Sequence, residues 1–234
     1  MMEPALLLSL QIAPVTSIDA TGSEAWWDQP WTSGFHKQTV AGRVWLGYEG
    51  LRGDQQADRR HHGGVEKAVC VYPAEHYPGW RESLRLPEMA YGAFGENFTV
   101  QGLLEPDVCI GDVFQIGGAR VQVSQPRQSC WKLARRWRIK DLTAQAEQSG
   151  RTGFYFRVLQ HGWVAAGEPI QLLDRTFPRF TIAHANEVMH QRKTDFAAAE
   201  ELAGCRLLSA SWKDSLWLRA EKRQAADTSA RTAH

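Results

Sequence analysis

Up to about residue 174 the chain is written in short apolar runs separated by glycine turns, and that rhythm admits few folds. Ala68-Val69-Cys70-Val71-Tyr72, Val121-Gln122-Val123-Ser124 and Phe154–Gln160 are too short for independent helices. They are rich in the β-branched and aromatic residues that strands favour. Residues 5–18 read as a first extended stretch, and Arg43–Leu46 as another strand. Val108–Gly118 has the rhythm of two short strands joined by tight turns, and Val164–Leu173 reads as a last strand pair. Helical stretches interrupt this series at Ala74–Leu84, Trp131–Trp137 and Asp141–Gln148, the last stopped by Gly150. The expectation is a mainly β fold, a β-barrel with helical excursions over residues 1–174.

The pattern then changes. Thr181–His190, Asp195–Ala203 and Ser211–Lys222 read as three short helices, a unit spanning residues 175–222. Trp212, Leu216 and Ala220 share one helical face, and Ser211-x-x-Asp214 resembles a helix N-cap. Residues 223–234 are polar and are expected to be disordered. From Arg175 onward 10 basic residues face 7 acidic ones, so the unit and tail carry +3 and the preceding part −2.

A net charge of +1 argues against a general nucleic-acid or membrane-surface binder. The three helices invite a helix-turn-helix reading, but their charge is small and tryptophans occupy the last helix where polar base readers are wanted. Ala5–Leu10 is too short to span a membrane, and Glu3 stands where a signal peptide carries base. Cys70, Cys109, Cys130 and Cys205 are scattered, without zinc, redox or iron–sulfur spacing. A cytoplasmic protein with reduced thiols is expected.

The chemistry concentrates in Gln125-Pro126-Arg127-Gln128-Ser129-Cys130-Trp131-Lys132, where a strand-like run ends and a helix begins. Arg127 and Lys132 flank Cys130, and positive charge favours the thiolate that attacks electrophiles or binds metals; a buried structural cysteine is the plainer alternative. Gly50–Gly64 reads as a long structured loop. Within it, His61-His62-Gly63-Gly64 suits a metal, recognition of an anion or ring, or simple bracing of the loop. Asp54 and Asp58 lie four apart, and their glycine-rich setting favours turn capping over acid–base work. Asn97 is an Asx-turn residue or a ligand-binding amide; Arg157 is exposed or aimed at an anion. Cys70 and Cys109 read as core residues.

Taken in order, GLRGDQQADRRHHGG, YPAEHY, GAFGENFTV, VCIGDVFQIG, VSQPRQSCWKL and GRTGFYFRVLQ closely resemble the MOSC domain, the module related to the C-terminal part of molybdenum cofactor sulfurase. The three C-terminal helices are similar to those of the bacterial YiiM group within it. The resemblance implies a MOSC-type barrel binding the pterin molybdenum cofactor, with molybdenum ligated by the cysteine matching Cys130. It further implies reduction of N-hydroxylated compounds, such as 6-N-hydroxylaminopurine, to amines by oxygen-atom transfer. Lys37, Arg127, Lys132 and Arg157 are then candidate cations for the cofactor, and His62, Gly63, Gly64 and Asn97 neutral contacts. His61 and Asp58 are candidate proton sources beside Cys130. Without iron–sulfur cysteines or a dinucleotide fingerprint, a separate reductase or ferredoxin-like electron donor is expected. The basic helical unit is a candidate docking surface for it. A homodimer is compatible with this reading. Two other classes remain, a cofactor or sulfur carrier using Cys130 and a binding module built on the three helices.

Overall fold

The structure, a computed structural model, describes residues 5–232. In chain order the elements begin with β1 (Ala5–Ile12), β2 (Thr16–Ile18), β3 (Trp31–Ser33), β4 (Gln38–Thr39), β5 (Arg43–Gly47) and β6 (Gly50–Leu51). Next come α1 (Arg59–His62), β7 (Val69–Pro73), α2 (His76–Leu84), β8 (Phe98–Gln101), β9 (Val113–Ile116) and β10 (Ala119–Pro126). The chain continues through α3 (Trp131–Trp137), α4 (Leu142–Ser149), β11 (Phe154–Gln160), β12 (Gly162–Ala165) and β13 (Pro169–Asp174). It finishes with α5 (Ile182–Asn186), α6 (Phe196–Ala203) and α7 (Ala210–Thr232).

Strands pair in the order β13-β9-β10-β11-β7-β8-β1, and β1 returns to β13, closing a barrel. Every pair is antiparallel except β7 with β8. Period-two alternation fills the interior: Val69 and Val71, Phe98 and Val100, Phe114 and Ile116, Val121 and Val123, Phe154 and Phe156 all join one apolar cluster. The intervening residues face outward, yet Tyr72 is also fully buried. It belongs to a second cluster with Tyr77, Trp80, Phe94 and Leu133, formed where α2, α3 and α4 pack against the barrel wall. Strand β7 is therefore buried on both faces.

Some expected elements take another form. Only the second of the two strands foreseen in Val108–Gly118 exists. Gly111 sits at φ +90, and the buried Asp112 carboxylate accepts the Cys109 amide at 2.8 Å, so the first stretch is a turn. Val164–Leu173 does supply two strands, but β12 pairs with β5 in a small separate sheet while β13 closes the barrel. The Gly50–Gly64 loop contains a one-turn helix, α1, capped by Asp58. The cap of α7 is Ser209 rather than Ser211, its hydroxyl receiving the Trp212 amide at 3.4 Å. Helix α7 runs on to Thr232, past Lys222. Among the described residues no helix is long and apolar enough to cross a membrane.

The C-terminal helices are continuous with the barrel's own core. Ile182, Leu202, Leu208, Trp212 and Leu216 belong to the same apolar cluster as the barrel interior. Polar seams reinforce the junction: the Ser209 amide donates to the Ser124 carbonyl at 2.9 Å, and Asn186 donates to Thr152 at 2.8 Å. Barrel and helices should accordingly unfold together. Trp212→Ala, at a side chain 1% exposed, should lower the stability of the whole chain by ~3–5 kcal/mol in one denaturant transition. A separate early transition of the helices, with the barrel midpoint unmoved, would contradict the shared core.

Candidate functional site

The outward residues of β7 and β11 that escape the second apolar cluster form the floor of a cavity. Cys70 and Tyr155 are register partners across the two strands, and both line it. Its other walls come from Ser33–Lys37, Gln55–Ala57, His62, Lys67, Gly95, Asn97 and the segment from Arg127 to Lys132. The space between these walls, open to solvent at its mouth, amounts to about 580 Å³. Gly95 allows the walls to approach this closely: a Cβ there would stand 2.6 Å from the Phe35 ring, at φ +75.

Cys130 is brought to this cavity by the end of β10. Pro126 is the last residue of that strand, and the Arg127 amide then donates to the Gly153 carbonyl at 3.0 Å. Cys130 occupies the extended N-cap position of α3. Its carbonyl is spent on Leu133 (3.0 Å) and the Thr143 hydroxyl (3.2 Å), while its side chain remains at the cavity. The other three cysteines are buried, and Cys130 is half-buried.

The cavity is cationic. Lys37, Lys67, Arg127 and Lys132 line it, together with His62, and no aspartate or glutamate does so among the described residues. Lys37 is held from below by an ion pair with the buried Asp54. Asp54 also accepts from the Asn97 amide (3.0 Å), Gln56 (3.0 Å) and the Ala13 backbone (2.9 Å). Lys67 reaches the His61 carbonyl at 2.8 Å. Arg127 is different. It is 4% exposed, and its Nη1 has no hydrogen-bond partner among the described residues. Burial pushes the Cys70 thiol and the Tyr155 phenol up in pKa, so these neighbours stay protonated and supply no counter-charge. A permanently charged guanidinium with an idle donor is chemically suited to an anion.

Of the residues singled out from the sequence, Cys130, Lys37, His62, Asn97, Arg127 and Lys132 converge here. Asn97 has a bracing role: its oxygen accepts the Cys70 amide (3.1 Å), and its nitrogen donates to Asp54 (3.0 Å) and the Gln11 carbonyl (3.2 Å). His61 and Asp58 do not line the cavity. They pair with each other at 2.8 Å on the solvent side of α1, because successive helical residues point ~100° apart and only His62 turns inward. Gly63 and Gly64 do not line it either; they end α1 and lead into the turn Val65–Lys67 that delivers Lys67.

Arg157 also lies elsewhere. It bonds Glu66 (2.6 Å), the Leu207 carbonyl (2.8 Å) and Gln122 (3.3 Å), clamping the Lys67 turn against the segment before α7. Lys67 and Tyr155 are site residues that sequence reasoning missed. Strand alternation from Arg157 puts Tyr155 on the outer face; nothing local marks Lys67. Among the described residues no group of three or more His, Cys, Asp and Glu is placed to hold a metal ion, so any metal here would lean on Cys130 and on ligands not from the protein.

His62 carries a titration signature of the site. Burial, then the nearby Lys132, Arg127 and Lys67 charges, lower its pKa from 6.5 to about 4, against a smaller raising effect of Asp58. The imidazole is neutral at pH 7. Because the unfolded chain binds a proton at His62 below 6.5 and the folded one does not until about 4, stability falls as pH drops through that window. His62→Gln should show a shallower loss of urea midpoint across it than the native chain. His36 and His190, whose pKa values burial also lowers, are common to both proteins and cancel. Equal slopes would mean that folding does not hold His62 neutral.

Comparison with known proteins places this geometry. Residues 58–171 match the MOSC domain, and residues 180–223 match the YiiM-like, 3-alpha helix domain. The uncharacterized protein YflK of Bacillus subtilis is 43% identical over 89% of this chain and 91% of its own. The crystal structure of YiiM from Geobacillus stearothermophilus superposes with a TM-score of 0.77 at 36% identity, over 93% of this chain and all of that one. A protein named "Reductase" from Gibberella moniliformis is 35% identical over 69% of this chain, a match confined to 29% of the fungal protein.

Proposed function

The chain belongs to the MOSC family in its YiiM-like form, and on that premise we propose that it is an oxidoreductase reducing N-hydroxylated compounds to amines, with a pterin molybdenum cofactor held on Cys130. The observation that carries this reading is the unpartnered, buried Nη1 of Arg127 in a carboxylate-free cationic cavity beside the least buried cysteine. MOSC domains are associated with the molybdenum cofactor. Its phosphate and sulfur-rich pterin are anionic, and the residues present suit them.

Arg127 supplies its unpartnered Nη1 as a directional donor for a phosphate, with Lys67 and Lys132 as further point charges. Lys37 is already neutralised by Asp54 and contributes position more than charge. Neutral His62 offers a hydrogen bond without adding to the positive charge. Cys130 provides a soft sulfur ligand at the cavity wall. When bound, the cofactor supplies a two-electron redox centre able to take oxygen from a substrate.

The overall change is R–NHOH plus two electrons and two protons to R–NH2 and water, breaking the N–O bond. Bulk water is the proton source that the geometry leaves, since His61 faces solvent outside the cavity and His62 is uncharged at neutral pH. A separate donor protein would supply the electrons. Among the described residues Cys70, Cys109 and Cys205 form no metal-holding group with Cys130, and the sequence shows no Gly-rich dinucleotide fingerprint. The fungal relative's name, a reductase, supports an oxidoreductase of this kind.

Molybdenum per chain, measured on protein from a cofactor-rich host, tests the reading. The native chain should approach one metal per chain and Cys130→Ala should lose it. Arg127→Met, which keeps much of the side-chain bulk without the charge, should lower bound pterin at least tenfold, on the ~1.5–3 kcal/mol scale of a charged hydrogen bond. Metal-free native protein from that host would sink the proposal, and a labile persulfide on Cys130 would identify a sulfur carrier instead.

A further inference from the structure

One buried carboxylate takes no part in the cavity, yet two hydrogen bonds connect it to Arg127. Glu105, on the connection between β8 and β9, is 3% exposed and does not line the cavity. Its Oε2 pairs with Nε2 of His76, the first residue of α2, at 2.8 Å. Its Oε1 accepts the Gly153 amide, also at 2.8 Å. The Gly153 carbonyl in turn accepts the Arg127 amide at 3.0 Å. Pro126 and Phe154 are register partners, so this last bond lies just beyond the β10–β11 ladder, where the two strands end.

Gly153 has no side chain by which packing could fix it, and it lies close against β7: a Cβ there would stand 2.3 Å from the Val71 carbonyl oxygen. Its place is therefore set by backbone bonds, and Glu105 takes the one from its amide. The residues before it are tied separately. The Arg151 carbonyl accepts from the Tyr72 hydroxyl at 3.1 Å, and the Thr152 hydroxyl accepts from Asn186 at 2.8 Å. These ties would keep the segment folded if Glu105 were lost, leaving a local shift at residue 153. Downstream, Nη1 of Arg127 has no hydrogen-bond partner among the described residues, so its aim depends on the backbone that carries it. Hydrogen bonds weaken steeply with misalignment, and a binding group must be held within ~0.5 Å of its working position. A buried carboxylate is otherwise a costly way to satisfy one ring nitrogen and one amide.

We propose that Glu105, braced by His76, is a positioning residue for the anion site: it holds Gly153 and, through the Gly153–Arg127 bond, fixes where the guanidinium meets a phosphate group. This rests on the reading of Arg127 as the phosphate donor and is independent of the reaction catalysed.

Inorganic phosphate is the probe, titrated calorimetrically into the cofactor-free full chain. The proteins compared are the native chain, Glu105→Ala, Glu105→Gln, Arg127→Met and the Glu105→Ala/Arg127→Met double variant. Trp212→Ala, a core residue of α7 outside this network, controls for lost stability. Glu105→Ala should weaken phosphate binding about tenfold. Glu105→Gln should stay within about threefold of native, because its carbonyl can accept the Gly153 amide and its NH2 can donate to His76. The double variant should bind no more weakly than Arg127→Met, since a positioning effect vanishes with the group that is positioned. Trp212→Ala should bind like the native chain. Should Glu105→Ala not fold, His76→Ala takes its place, with a loss of about threefold expected. Native-like binding in the variant that breaks the network, or a loss that Glu105→Gln and Trp212→Ala share with it, would overturn the positioning role alone. A native chain that binds no phosphate, or an Arg127→Met chain that binds it equally well, would remove the reading of Arg127 and the proposal with it.

Discussion

Strand β7, in the wall it shares with β10 and β11, is buried on both faces, and the rest of the molecule is arranged around that requirement. Inward, Val69, Val71, Val121, Val123, Phe154 and Phe156 fill the barrel. Outward, Tyr72 must be covered, which α2, α3 and α4 accomplish through Tyr77, Trp80 and Leu133. The same covering layer cannot seal over Cys70 and Tyr155, because the chain segments above them carry lysines, an arginine and a histidine. A cavity results where the apolar cover stops. Its position on the outer wall follows from the period-two alternation that fills the interior.

That cavity gathers positive charge at a cost. Desolvating a cation is unfavourable unless a partner compensates it. For Lys37 the compensation is built in through Asp54, itself fixed by Asn97, Gln56 and the Ala13 amide. For Arg127 it is not. Nη1 is buried without a partner among the described residues, and burial first, then the Lys132 and Arg127 charges, depress the His62 pKa; an incoming anion would offset the charges. Local stability given up in this way is a usual mark of a binding site.

The three C-terminal helices share in this arrangement. Their apolar residues are part of the barrel core, and two of their polar contacts end on the strand that carries the cysteine segment. Ser209 meets Ser124, and Ser211 meets Gln125 at 3.3 Å, two residues before Arg127. Arg157 links the Leu207 carbonyl to Glu66, the neighbour of cavity-lining Lys67. The unit thus buttresses two walls of the site from behind.

The amino-acid sequence by itself determined the strand faces, the glycine turns, the helical excursions and the placement of Cys130 where a strand gives way to a helix. These depend on periodicity and on φ/ψ preferences over a few residues, which a local pattern contains. Only the tertiary structure decided which charges meet. Lys67 enters the cavity and Arg157 leaves it for Glu66, 91 residues away in the chain; His62 turns inward and His61 outward within one turn. The Asn97 carbonyl oxygen reaches the Cys70 amide across 27 residues, and Asp54 holds Lys37 from a loop that looked like simple turn chemistry. Electrostatic convergence of this sort is a property of packed neighbours, set by strand register and layer cover, and carries no period that a linear chain can display.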